Sequence, residues 1–229
     1  MTVANQARTP TPRGRPGQPK PRVDRDARAQ AVLDAAVRVF AEKGLHNTTM
    51  QDIADRVCMA KILIYRLYPS RQALIDALFS DILGEIETIA AQPWRGYGSG
   101  MATLIGLGRA RPALLLLLLR EARGHPETLP WATACDTLLA GLAEPFVAPP
   151  AEASDELKAA CAQAARTFMP FIVEACIAGI EDRDGMTDVA RAQWFGAIVL
   201  AWRTATRTAL GLPDAPEPYS LLNPLPHAF

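Results

Sequence analysis

The side chains best placed for chemistry fall between Thr48 and Arg71, in the stretch TTMQDIADRVCMAKILIYRLYPSR. Thr49, Gln51, Lys61, Tyr65, Arg66 and Arg71 are all hydrogen-bond donors, and three of them are cations. Such a set recognises a polyanion by charge and by groove-edge contacts; it does not make or break bonds. Nothing elsewhere supplies a catalytic set. His46, His125 and His227 stand apart in turns or the tail, and no phosphate-binding loop or nucleophile elbow occurs, so no enzyme activity is expected. Cys58, Cys135, Cys161 and Cys176 form no CxxC pair and have no histidine cluster nearby. They read as free thiols, with no metal, cofactor or disulfide framework implied.

Two short helices must position the donors. Met50, Ile53, Ala54 and Val57 recur at helical spacing, leaving Gln51, Asp55 and Arg56 outside; Thr48 or Thr49 can cap this helix, and Thr48 with Gln51 fits a capping box. A second helix from about Ala60 to Tyr68 turns Ile64 and Tyr68 inward and Lys61, Ile62, Tyr65 and Arg66 outward. Pro69 stops it, and Ser70 can cap the next helix. Two helices of this length with a tight connection form a helix-turn-helix, whose second member enters the DNA major groove. Gln51 could pair with adenine from the first helix, and Ile62 could meet a thymine methyl from the second. The preceding helix, Arg25 to Lys43, supports the pair from below through Val39 and Phe40, with Gly44 as its left-handed cap.

This stretch resembles the TetR family of bacterial transcription regulators. The resemblance rests on Thr49, Asp52-Ile53-Ala54, Ile64-Tyr65-Arg66 and Tyr68-Pro69-Ser70-Arg71. It implies DNA contacts from Thr49, Lys61, Tyr65 and Arg71, which match the family in residue type. Several positions depart from its pattern. Cys58 stands where the turn usually has glycine, which would strain a left-handed backbone. Ala60 replaces a capping serine, and Ile62, Leu63 and Leu67 replace small or polar residues or histidine. Leu63 and Leu67 are expected to pack on neighbouring helices.

Charge is distributed in keeping with a nucleic-acid-facing end. Residues 1–71 hold 13 Lys and Arg against 6 Asp and Glu, a net +7, and the remainder carries −7, although the whole chain is neutral. Within a Pro- and Arg-rich arm (1–23), Pro12-Arg13-Gly14-Arg15-Pro16 looks like the core of an AT-hook. Arg13 and Arg15 would then enter a narrow minor groove; the alternative is a basic tail that adds phosphate affinity.

With few strand formers and abundant alanine and leucine, the chain is expected to be all-α. We divide it into the arm, a helix-turn-helix head (24–69), a helical ligand-binding and dimerisation domain (70–212) and a proline-rich tail (213–229). Gly84 in the connecting helix, Pro112 and Pro170 are expected weak points or breaks. The longest apolar run, Ala113 to Leu119, is far short of a membrane span, and a cytoplasmic protein without membrane contact is expected.

The resemblance further implies a homodimer on a palindromic operator, built from the last two long helices. Their alanines, Ala160, Ala164 and Ala165 and Ala197, Ala201 and Ala205, permit close approach. It also implies an inducer pocket in the body for a small apolar or amphipathic effector. Trp94, Met101, Trp131, Phe168, Phe171, Glu174 and Trp194 are the candidate lining residues, and ordinary core packing is the first reading of each. Glu174, flanked by apolar residues, needs a partner such as Arg203, protonation or solvent. The implied activity is sequence-specific transcription regulation, as a repressor released by its ligand. The rival reading is a ligand- or partner-binding helical dimer whose DNA head has degenerated.

Overall fold

A computed structural model describes residues 22–92, 96, 98–182 and 185–213, and these form helices and turns without a strand. Arg13, Arg15 and Trp94, and the tail from Asp214 on, lie outside the described residues. In chain order the helices are α1 (Arg22–Lys43), α2 (Met50–Arg56), α3 (Lys61–Leu67), α4 (Arg71–Ala90), α5 (Ser99–Ala110), α6 (Pro112–Leu116), α7 (Leu129–Ala143), α8 (Asp155–Ile180) and α9 (Asp188–Ala209). A π-helical turn, Leu117–Glu121, and a 3-10 turn, Ala122–Gly124, prolong α6.

Local chemistry accounts for most of the boundaries. The α1 helix ends where Gly44 adopts φ 85° and donates its N–H to the Phe40 carbonyl (2.8 Å), folding Leu45 into the core. Ser70 and Thr187 cap α4 and α9 by accepting Ala73 N–H and Ala190 N–H. Pro112 takes the first position of α6, where a missing N–H costs nothing.

Two expectations need correcting. The capping box of α2 is Thr49 with Asp52, not Thr48 with Gln51: the helix starts at Met50, and a carboxylate at the third position reaches back to the Thr49 N–H (2.7 Å). Thr48 is instead buried, its hydroxyl donating to the Gly44 carbonyl (2.9 Å). Pro170 does not break α8, which runs through it as one helix. α4 likewise continues through Gly84.

The buried core is continuous from Val32 in α1 to Leu212 beyond α9. α4 is the common element, packing on α1 at one end and on α5, α6 and α7 along its length. Ile75, Leu78, Phe79, Ile82 and Ile86 supply its buried stripe. α8 packs on α5 and α7, and α9 lies against α5. No single helix among the described residues is long and apolar enough to cross a membrane.

Candidate nucleic-acid interface

The head is assembled on Val39 and Phe40 of α1, both buried, with Met50, Ile53, Ala54 and Ile64 above them. Two ion pairs fasten α2 to α1. The Arg56 guanidinium grips both carboxylate oxygens of Glu42, and Lys43 pairs with Asp52. Hydrogen bonds from the Lys43 ammonium and then from Thr49 hold the Asp52 carboxyl far below the usual carboxylate range. The hydrogen bond from Arg56 likewise lowers Glu42. Tyr68 ties α3 to α1 by donating its hydroxyl to the Ala29 carbonyl (3.3 Å).

The connection between α2 and α3 contains Cys58 at φ 52°, a left-handed conformation that a non-glycine residue adopts at a cost of about 1–2 kcal/mol. The expectation of strain at this turn is met. Ala60 stands at the N-cap of α3 with no side-chain hydrogen bond, so this helix begins without the cap a serine would supply.

Lys61, Ile62, Tyr65 and Arg66 of α3 are exposed together on one face, and Gln51 is exposed on α2. Lys61 Nζ lies 5.9 Å from the Tyr65 ring centroid, a loose cation–π contact. Gln51 is engaged within its own helix, donating to Asp55 Oδ1 (2.7 Å). Thr49 has its hydroxyl on Asp52 Oδ2 (2.7 Å). Leu67 packs against the core as expected, but Leu63 does not. It is 39% exposed beside Ile62, because the short α3 has neighbours only along its Ile64 side.

Arg71, expected at the DNA, is engaged within the protein in this structure. Its guanidinium turns inward, where Nε donates to the Thr48 carbonyl (3.2 Å), Nη2 to the Leu45 carbonyl and Nη1 to Glu127 (2.9 Å). The orphan carbonyls of the α1–α2 turn, left without helical partners, draw it there. The body grips the same turn from the other side. Glu121, aimed by the π-helical turn, accepts the Leu45 N–H (3.0 Å), and the rings of His46 and His125 lie 4.2 Å apart. Nothing in the local sequence around Glu121, Glu127 or His125 marked these contacts, since each partner is far away in the chain.

A largely apolar cavity of about 120 Å³ lies among α4, α5, α7, α8 and α9. The candidates Met101 and Phe168 line it, with Leu104, Leu142, Phe146, Ile172, Phe195 and Val199, which sequence reasoning missed. The polar side chains among its lining residues are Gln92, Ser99 and Thr103, and no described lining residue is charged. Phe171 is not in the lining but stacks on Phe168 (5.3 Å) and Phe195 (6.0 Å).

The remaining candidates belong elsewhere. Trp131 is committed to α4, its indole N–H donating to Asp76 (2.9 Å). Glu174 is exposed on α8 and does not line the cavity. Trp194 is 44% exposed on α9. Burial pushes the Cys135 and Cys176 thiols up to about 12, as inert packing groups. Among the described residues no cluster of His, Cys, Asp and Glu is arranged to hold a metal.

Residues 32–78, which span the α1–α4 head, match the family of bacterial regulatory proteins, tetR family. These residues carry the DNA-binding head of that family. Over 71 residues it is 31% identical to the HTH-type transcriptional repressor KstR2 of Rhodococcus jostii (strain RHA1), a match covering 29% of this chain and 35% of that protein. The chain spans half or less of the length of the first curated relatives it matches. Among solved structures, a TetR-like transcriptional regulator from Rhodococcus sp. RHA1 superposes with a TM-score of 0.60 at 21% identity, over 81% of this chain and 97% of that one. AibR, solved in complex with isovaleryl coenzyme A and operator DNA, gives a TM-score of 0.54 at 18% identity, over 75% and 97%. These two likenesses are of fold.

Proposed function

We propose that this protein is a DNA-binding transcription regulator, a homodimer on a palindromic operator. A small uncharged, apolar or amphipathic effector releases it from that operator as a repressor. The observation that carries the DNA-binding part is the joint exposure of Lys61, Tyr65 and Arg66 on a helix anchored in the core of the head by Ile64. The cavity supports the effector part: hydrocarbon lines it, hydroxyl and amide groups stand at its edge, and no described lining residue carries a charge for an ionic ligand. AibR, similar in fold and solved with isovaleryl coenzyme A and operator DNA, is consistent with a body that senses and a head that binds. Ligand affinity that differs between two spacings of the heads would drive release.

A second reading has its own observation. Ile62 and Leu63 are exposed where donors would be useful, and Arg71 is turned away, as a degenerate head would have them. Fragment selection from genomic DNA followed by salt titration separates the two. A functional head retains specific fragments with a steep salt dependence, and Lys61→Ala combined with Tyr65→Ala abolishes that retention. Retention unaltered by the double substitution, or no specific fragment at all, overturns the regulator reading.

A further inference from the structure

The α3 helix presents hydrocarbon to the outside, and nothing among the described residues covers it. Ile64 is fully buried. At about 100° per residue this places Ile62 and Arg66 at the outer crest, each about 160° from the anchor, with Leu63 and Tyr65 on the two shoulders. Exposure follows that geometry: 62% for Ile62 and 39% for Leu63. A lone exposed isoleucine would need no explanation, but two large aliphatic side chains on the outward half of a seven-residue helix do. Arg66 shares the crest between Ile62 and Leu63, Lys61 stands beyond Tyr65, and neither cation enters an ion pair found among the described residues, so aliphatic and cationic groups alternate across this face. The patch therefore complements a polyanion that itself displays methyl groups. In the DNA major groove the one such group is the thymine C5-methyl. Gln51, the neighbouring side chain suited to bidentate base pairing, has its amide engaged by Asp55.

Resting on the DNA-binding reading above, we infer that Ile62 and Leu63 are specificity-determining residues that read thymine C5-methyl groups in the operator. Half-site recognition by α3 then rests on methyl contact, with Lys61, Tyr65 and Arg66 supplying registration and phosphate or guanine contacts.

The test uses the full chain and an operator recovered by selection from genomic DNA. Each half-site thymine is replaced singly by deoxyuridine, which removes the methyl and leaves the base-pairing edge intact. Affinity is expected to fall about fourfold at the contacted positions, the worth of one buried methyl. Ile62→Ala and Leu63→Ala, both at exposed sites, should fold normally by circular dichroism. Each should bring the thymine-to-deoxyuridine affinity ratio to one at its own position. Equal wild-type affinity for every deoxyuridine duplex, with specific binding intact, overturns the inference and leaves the DNA-binding reading standing. A ratio unchanged in both variants assigns the methyl contact to other side chains and also overturns it. Recovery of no specific operator overturns both readings together.

Discussion

Asp52 shows how much one side chain does in a small head. It accepts the Thr49 N–H and hydroxyl, both at 2.7 Å, and pairs with Lys43 at the end of α1. It thereby caps α2 and fastens it to its neighbour. Its carboxyl is held far below the usual range, so the unfolded chain takes up a proton before the folded one does. This stabilisation is complete above the ordinary aspartate range and is lost as pH falls through it toward the lowered value. Thermal melts between about pH 6 and pH 3 should therefore show a shallower decline for Asp52→Asn than for the unaltered chain. Parallel declines would remove Asp52 from the account of acid sensitivity. Arg71 illustrates the other direction: a residue whose type suits a phosphate is taken by the carbonyls of a turn, because buried carbonyls without partners are the more expensive alternative.

At the level of elements, glycine separates propensity from packing. A methyl at Gly108 on α5 would lie 2.3 Å from Ile180 Cγ1 on α8, whereas one at Gly84 in α4 meets nothing within 4 Å. Replacing glycine by alanine inside a helix gains about 1 kcal/mol of propensity at either site. Overpacking at the α5–α8 crossing should cost about 1–3 kcal/mol. Gly84→Ala is therefore expected to raise stability by about 1 kcal/mol and Gly108→Ala to lower it or leave it flat, as read by urea unfolding. Stabilisation of equal size at both sites would show that α5 and α8 can separate freely. The π-helical turn at Leu117–Glu121 matters at the same scale. It delivers Arg120 to Glu181 (2.5 Å) and Glu121 to the head, two contacts on different sides of the molecule from adjacent residues.

For the whole molecule the open question is what covers the outer face of α9. Trp194, Ala197, Ala201 and Ala205 recur there at helical spacing and are exposed, and small residues let a second copy approach closely. Placed in a dimer interface, Ala201→Arg should yield a monomer in sedimentation with unchanged helicity. Its operator affinity should fall at least about a hundredfold, since the two heads would no longer be linked. A dimer that survives this substitution would place the interface elsewhere.

Features that depend on near neighbours were legible in the order of residues alone. The phase of Met50, Ile53, Ala54 and Ile64 picked out the buried sides of α2 and α3; Gly44, Pro69 and Ser70 marked their limits; Cys58 announced a strained turn. The TetR-like head was legible for that reason: its helices are short and its signals local. Only the tertiary structure decided which outward or inward stripe finds a partner. Met101 and Phe168 line the cavity, whereas Trp131 is bound to Asp76, and Glu174 and Trp194 are exposed, although their neighbours in the chain do not separate the first two from the other three. Helical periodicity fixes which residues share a face. It carries no information about which faces meet, because that choice is made by contacts between residues distant in the chain, where volume, charge and unsatisfied backbone groups compete at once.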